Sequence, residues 1–349
     1  MPPRDWISGD GRREVGDANR QSEIRANWQR KCDRRVREQS ASRMRWVGCL
    51  LAHALSVTND AARSRLISPK ICAVHCSTTS STASSTAAIV LRSPLLDAAH
   101  FAHGFSTRLG GVSLAPFDSL NLQSRQANAR VAQGAPRDTD TALATNLARL
   151  LSAARIESDR PVADVSQVHG CTVVAAHEAL HARGEADAIT SVAGGAAVMV
   201  RVADCVPLLL ACPKSGAVAA VHAGWRGVVA GVVPAALVAL HKLGADGRTL
   251  LVAIGPCISG ASFEIGDEVA RVLVDADLAA CVIQPGVHGP KHHADLVAAV
   301  TLQLMRCGVS RDHIDDDAPC TYRDAQRFFS FRRDGAHSGR LAAIIAPRA

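Results

Sequence analysis

Residues 196–227 read AAVMVRVADCVPLLLACPKSGAVAAVHAGWRG, and this stretch contains three apolar runs separated by short polar turns. The runs cover 196–202, 206–211 and 217–221 and are bounded by Gly, Pro or charged residues. Short apolar runs with these boundaries predict buried β-strands. The first two runs, 196–202 and 206–211, are joined by a connection too short for a helical crossover, so we expect these two strands to pair antiparallel.

The pattern of strands and helices continues on both sides of this stretch. Two further runs, 250–254 and 341–346, also predict strands. Apolar residues recur every three or four positions over 227–243 and 295–307, which predicts helices ending at Gly244 and Gly308. The sequence contains no linker within 93–349 that would divide it into two domains.

Three dispersed residues, His169, Cys205 and His222, have side chains that can bind a metal ion. Cys205 follows the first predicted strand, and His222 ends the third, just before a turn that leads into a predicted helix. Two imidazoles and one thiolate can hold zinc and leave a fourth position open, as in catalytic sites. Their spacing matches no compact ligand signature, and a buried thiol or a core histidine would suit the same positions. An enzyme is nevertheless the leading hypothesis.

Several longer motifs surround these residues and occur in a fixed order. They are STRLGGVS (106–113), SLNL (119–122), QVHG (167–170), ADAIT (186–190), ADC (203–205), HAGWRG (222–227), IGPCI (254–258), FEIGDEV (263–269) and FFSFRRD (328–334). This series resembles the laccase-domain family, labelled multicopper polyphenol oxidase-like in older usage and now described as bacterial purine nucleoside phosphorylases. The same family is also labelled peptidoglycan editing factor. The resemblance runs from about residue 93 to the C-terminus.

The resemblance implies an α+β fold, a single catalytic domain over residues 91–349 with a central mixed β-core flanked by helices. It also implies phosphorolysis of adenosine, inosine and methylthioadenosine with phosphate, and adenosine deamination at the same zinc-dependent site. His169, Cys205 and His222 would be both the metal ligands and the catalytic residues, with zinc favoured over copper.

Other charged residues in the motifs are candidates for supporting roles. Arg108 lies in a glycine-containing loop, where a guanidinium beside backbone amides suits phosphate, although a surface arginine in a turn is the alternative. Arg332 is a second candidate phosphate-binding residue. Asp204 is expected either to hydrogen-bond a metal ligand and so orient it, or to cap a turn. Candidate acid or base groups are Asp187 and Glu264.

One residue and one interval of the chain depart from the family pattern. Phe331 replaces the Tyr that is usual in the Ser-Tyr-Arg-Arg motif, and so lacks a hydroxyl group. The interval 126–150 matches the family only loosely around Asn146 and Arg149. Substrate contacts supplied by that interval are therefore not carried over.

Two rival activities remain open. In a Cys-His hydrolase or amidase, which the peptidoglycan-editing label suggests, Cys205 would be the nucleophile and a histidine its base. A copper-dependent polyphenol oxidase fits less well, because one Cys with two His suits a single zinc ion better than a multicopper cluster.

Charge is concentrated at the N-terminus. Of the formal net charge of +7, residues 1–65 hold 14 Lys and Arg against 8 Asp and Glu, whereas the remainder holds 25 against 24. The enzyme-like part is nearly neutral, so we expect no nucleic-acid partner. Residues 1–90 are basic and low in complexity, with a Ser/Thr/Ala tract at 77–88, and are predicted to be a disordered extension.

The cellular setting follows from cysteine usage and from the N-terminal pattern. Eleven scattered cysteines, an odd number, form no disulfide framework and indicate a reducing compartment. Residues 44–52 have the charge-then-apolar order of a signal peptide, but the run is short and His53 interrupts it; a translation start placed too far upstream is an alternative origin of this segment. We expect a cytoplasmic enzyme, monomeric or weakly dimeric, that does not bind membranes.

Overall fold

The computed structural model describes residues 88–129, 136–181 and 184–348. The predicted disordered extension, residues 1–90, lies almost wholly outside this range. The helices of the described residues are α1 (Pro94–Ala98), α2 (Arg125–Ala129), α3 (Asp140–Ala153), α4 (Ala176–His181), α5 (Trp225–Ala230), α6 (Val232–Lys242), α7 (Asp267–Asp275), α8 (Leu296–Arg306) and α9 (Phe331–Asp334). The strands are β1 (Val90–Leu91), β2 (His103–Ser106), β3 (Val162–Asp164), β4 (Val173–Ala175), β5 (Ala188–Ser191), β6 (Ala197–Val202), β7 (Val206–Ala211), β8 (Val218–Ala223), β9 (Leu251–Ile254), β10 (Glu264–Ile265), β11 (Val282–Ile283), β12 (His292–Ala294), β13 (Ile314–Asp315) and β14 (Leu341–Ile345).

The strands form three sheets. A five-stranded sheet has the order β1-β2-β14-β6-β3, and a six-stranded sheet has the order β13-β9-β7-β8-β5-β4. Both are mixed: β3–β6, β13–β9 and β4–β5 are parallel pairs, and the other pairs are antiparallel. A small antiparallel sheet, β10-β12-β11, completes the set.

The two large sheets pack face to face, with helices on their outer faces. In β6, Val198 and Val200 point into the core between the sheets, where they join Leu209 of β7. The alternate residues Ala197 and Met199 face outward and pack with α3. The outer face of the six-stranded sheet packs against α6 and α8. This alternation buries both faces of each strand and confirms the α+β fold with a central mixed β-core flanked by helices.

The predicted strands are all found, but one predicted pairing is wrong. β7 pairs antiparallel with β8. β6 and β7 do not pair with each other, because the three residues between them carry the chain from the five-stranded to the six-stranded sheet. Asp204, in the middle of this connection, has φ of 90°. A left-handed residue turns the chain sharply enough to make such a change of sheet.

The single helix predicted over 227–243 is also interrupted. It forms two helices, α5 and α6, separated at Gly231, which has φ of 82°. Gly231 ends α5 in the left-handed conformation that glycine adopts without steric cost. Pro234, in the first turn of α6, lacks an N–H group and suits a helix start. The helix predicted over 295–307 is α8.

Among the helices of the described residues, none is long and apolar enough to span a bilayer.

Candidate functional site

The side chains of His169, Cys205 and His222 converge at one end of the six-stranded sheet. One ligand atom from each residue lies within 4.8 Å of the other two. Cys205 Sγ is 3.8 Å from His169 Nε2, and the two imidazole rings meet edge to face with centroids 4.8 Å apart. Within the described part of the chain, no other group of three or more His, Cys, Asp or Glu residues can share an ion. These three residues form a candidate metal centre.

A buried carboxylate, Asp187, holds two of the three residues in place. Its Oδ1 accepts the Nδ1 hydrogen of His222 at 2.8 Å and the backbone N–H of His169 at 2.9 Å. Its Oδ2 accepts the N–H of Gly170 at 2.6 Å. Because Nδ1 of His222 is engaged, Nε2 is the nitrogen left to bind a metal. Carboxylates commonly orient metal-binding histidines in this way.

The loop that carries His169 is held on both sides. The side-chain amide of Gln167 accepts the N–H of Arg201 in β6 and donates to its carbonyl, in the manner of a neighbouring strand. His169 has φ of 58°, a left-handed conformation that costs a non-glycine residue about 1 to 3 kcal/mol. The hydrogen bonds to Asp187 offset this cost.

Gly224 leaves space for the side chains of His169 and Cys205. A Cβ at this position would lie 2.8 Å from His169 Cδ2 and 3.0 Å from Cys205 Sγ. Both distances are shorter than carbon–carbon or carbon–sulfur contacts allow. The glycine of the HAGWRG motif is therefore required by the close approach of His169 and Cys205, and its φ of −72° is one that any residue adopts.

The site is polarised even without a metal. Burial raises the pKa of the Cys205 thiol. The charge of His222 and hydrogen bonds from both histidines outweigh this effect and lower the pKa to about 6. Burial lowers the pKa of His222, but the Cys205 charge and the Asp187 hydrogen bond raise it to about 9. Near neutral pH the metal-free site is thus a thiolate beside an imidazolium.

Asp204, expected to orient a metal ligand, has other partners. Its Oδ1 accepts the Thr321 hydroxyl at 2.6 Å, and its Oδ2 accepts the backbone N–H of Arg332 at 2.6 Å. The reason is its left-handed conformation, which turns the carboxylate toward residues 321–332. Asp187 orients His222 instead. Asp204 connects the loop that bears Cys205 to the start of α9.

The two arginines expected to bind phosphate differ in their surroundings. The Arg108 guanidinium pairs with the Asp118 carboxylate at 3.2 Å, donates to two backbone carbonyls and lies over the Phe329 ring. Arg332 is exposed at the start of α9, and its Nη1 donates to the carbonyl of Glu264 at 2.9 Å. Arg332 is therefore the more available of the two.

The two acid or base candidates, Asp187 and Glu264, lie in different surroundings. Asp187 is fully buried in the site, as described above. Glu264 is in β10 and pairs with Lys291 at 2.8 Å near the surface, which lowers the pKa of its carboxyl group. Arg333, next to Arg332, donates to the carbonyls of residues 321, 322 and 328 and pairs with Asp334, so its role is structural.

The loose family match around Asn146 did not reveal its role, which is to organise the Arg108 loop with its buried side chain. Asn146 of α3 accepts the N–H of Val112 and donates to the Ser113 hydroxyl and the Asn121 carbonyl. Its neighbour Arg149 donates to the carbonyls of residues 110 and 111. A polar residue among apolar helix positions was the available signal.

Comparison with known proteins places these features in a family. The family described as multi-copper polyphenol oxidoreductase laccase matches residues 102–348. A protein named purine nucleoside phosphorylase from Pseudomonas aeruginosa is 40% identical over 243 residues, which cover 69% of this chain and 90% of that protein. A protein of the same name from Deinococcus radiodurans is 35% identical over 254 residues, covering 72% of this chain and 92% of that protein.

Solved structures agree with this match. Protein NMB0706 of Neisseria meningitidis has a TM-score of 0.62 at 32% identity, covering 75% of this chain and 99% of that one. YlmD from Geobacillus stearothermophilus has a TM-score of 0.61 at 27% identity, covering 74% of this chain and 94% of that one. The fold, the ordered motifs and the extent of these matches together show that the chain belongs to the multi-copper polyphenol oxidoreductase laccase family.

Proposed function

We propose that this protein is a zinc-dependent purine nucleoside phosphorylase that acts on adenosine, inosine and methylthioadenosine and also deaminates adenosine at the same site. The observation that carries the proposal is the convergence of His169, Cys205 and His222. The names of the Pseudomonas and Deinococcus relatives support the nucleoside substrates. Seven free cysteines in the described residues fit the cytoplasmic setting that we propose.

The residues of the site fit zinc. Two imidazole nitrogens and one thiolate are ordinary zinc ligands, and three protein ligands leave a position for water or substrate. Gly224 supplies the space that such an arrangement requires. When bound, zinc would supply Lewis acidity and lower the pKa of a coordinated water. A multicopper cluster needs more histidines than this group of three contains.

Phosphorolysis transfers the ribose from the purine to phosphate. A phosphate oxygen forms a bond to C1′ of the ribose, the bond from C1′ to the purine nitrogen breaks, and the departing purine takes up a proton. For this reaction the protein must bind the negatively charged phosphate beside the ribose and orient the nucleoside. Arg332, exposed and next to the Asp204 contact, is a candidate for holding phosphate, because a guanidinium forms charge-assisted hydrogen bonds with phosphate oxygens.

A Cys-His hydrolase is the second candidate, and one observation favours it. Cys205 Sγ lies 3.8 Å from His169 Nε2, and its pKa is lowered to about 6. A thiolate paired with an imidazole is the arrangement of a cysteine nucleophile. The same arrangement also suits a metal ligand.

Chelation separates the two candidates, since a thiolate nucleophile needs no ion. Purified protein would be analysed for metals and assayed for release of adenine from adenosine with and without phosphate, and for inosine formation, before and after zinc removal. We expect phosphate-dependent release of adenine, loss of deamination on zinc removal and its return with added zinc. Full deaminase activity in rigorously metal-free protein would exclude zinc dependence, and a covalent adduct at Cys205 would favour the hydrolase.

A further inference from the structure

Arg340 lies beside the metal-binding loop, although none of the sequence motifs includes it. It directly precedes β14, whose Leu341 pairs with Val202 at the end of β6. Continuing this antiparallel register places Arg340 opposite Ala203, two residues before Cys205. Its backbone N–H donates to Asn121 Oδ1 at 2.9 Å, which anchors the main chain at this point.

The Arg340 guanidinium has hydrogen-bonding capacity to spare. Nη1 donates to the carbonyls of Ser338 and Gly339 at 2.9 and 3.1 Å. Across the described ranges, Nε and Nη2 have no hydrogen-bond partner and no carboxylate pairs with the guanidinium, yet neither nitrogen is sealed from solvent. Arg108, in contrast, has the Asp118 carboxylate as its partner.

The Arg340 guanidinium packs on an aromatic ring and lies near charged groups of the site. The guanidinium carbon lies 5.6 Å from the centre of the Phe331 ring, and the side chain is partly buried. Burial lowers the pKa of Arg340, while the nearby charges of Cys205 and Asp204 act in the opposite direction. Asp204 already accepts hydrogen bonds from Thr321 and Arg332, and the Cys205 sulfur belongs to the metal centre. Donors on a partly buried cation are thus left for a ligand.

We propose that Arg340 is a phosphate-binding residue of this site, using Nε and Nη2 to hold two oxygens of inorganic phosphate next to the metal centre. The inference rests on the proposed phosphorylase function for the identity of the anion. A guanidinium matches two phosphate oxygens in a fork, whereas a lysine ammonium provides only a point charge. Arg340 therefore fits the phosphate role expected of Arg108, whose guanidinium is already engaged.

The test compares Arg340→Gln and Arg340→Lys with the wild type and with a control, Arg306→Gln. The control removes the arginine that ends α8 and pairs with Asp277. Zinc content and melting temperature would first establish that each protein is folded and loaded. We expect the KM for phosphate in adenosine phosphorolysis to rise about 10- to 100-fold in Arg340→Gln and less in Arg340→Lys. The KM for adenosine, and phosphate-independent deamination, should change less than about twofold. The control should match the wild type.

Direct binding keeps this inference separate from the proposed function. Binding of inorganic phosphate to the zinc-loaded protein would be measured by equilibrium dialysis, with no nucleoside present. If the wild type releases no purine with phosphate, the proposed function fails, but weaker phosphate binding in Arg340→Gln would still support the role of Arg340. An unchanged KM for phosphate, equal phosphate affinities in wild type and variant, or no phosphate binding by the wild type would overturn it.

Discussion

His222 Nδ1 lies 2.8 Å from Asp187 Oδ1, and the same oxygen accepts the backbone N–H of His169 at 2.9 Å. One buried carboxylate thus fixes both histidines of the candidate metal centre, one through its ring and the other through its main chain. A buried carboxylate is stable here because hydrogen-bond donors surround both of its oxygens.

Asp187→Asn should weaken zinc binding about 10- to 100-fold, the usual cost of losing a residue that orients a metal ligand. The amide replaces one acceptor by a donor, which then faces another N–H or His222 Nδ1. Zinc affinity would be measured by chelator competition. Asp204→Asn is the matched control, since Asp204 contacts neither histidine, and its affinity should stay within about threefold of wild type. The reverse ranking would show that Asp204 orients the metal ligands.

Gly224→Ala should reduce zinc affinity by about tenfold or more while the chain stays folded, because the added methyl group displaces His169 and Cys205. Gly170→Ala serves for comparison: its methyl group would lie 3.5 Å from Asp187 Oδ2, an ordinary contact. Zinc titrations and circular dichroism would be run on both variants. Wild-type zinc affinity in Gly224→Ala would mean that His169 and Cys205 lie farther from residue 224 than described.

Zinc binding should release about one proton at pH 7.5. The metal-free Cys205 is already a thiolate there, because its pKa is about 6, whereas His222 is protonated, because its pKa is about 9. His222 must lose a proton before Nε2 can bind zinc, so apparent affinity should rise about tenfold per pH unit between 7 and 8 and level off above 9. Below pH 6 a second proton, on Cys205, should steepen the dependence. Calorimetry in buffers of different ionisation enthalpy measures the proton count, and a count of zero at pH 7.5 would contradict this charge assignment.

Removal of residues 1–85 should leave turnover within about twofold of the full chain, since this segment carries none of the ordered motifs. Full-length and shortened proteins would be assayed side by side for phosphorolysis and melting temperature. A large loss of turnover in a shortened protein that is still folded would show that the segment contributes to catalysis.

The strands could be predicted because buried runs such as 206–211 are apolar throughout and end at turn residues. The path of the chain between sheets could not, since the three residues 203–205 have a length that also suits a hairpin. The break at Gly231 was similarly hidden, because an isolated glycine within a helical pattern is often tolerated. Local sequence thus predicted the elements better than their connections.

The three candidate ligands were recognised from their motifs, whereas their supporting residues were not. Asp204 was chosen for its position beside Cys205, yet the carboxylate that orients His222 comes from residue 187, which β-sheet pairing brings close. Arg340 had no distinguishing motif at all. Contacts that depend on strand register, even the one between Asp187 and His222, which are 35 residues apart, leave no trace in local sequence.

The place of β14 in the five-stranded sheet has a consequence for biosynthesis. This last strand of the described chain lies between β2 and β6, so the sheet stays open in the middle until residues 341–345 leave the ribosome. The hydrogen bonds from Asp204 to Thr321 and Arg332 span 117 and 128 residues, so they too form late in synthesis, once residues 321–332 have left the ribosome. In a nascent chain halted before β14, the facing edges of β2 and β6 should be unpaired and prone to association. We expect chaperones to bind such a chain.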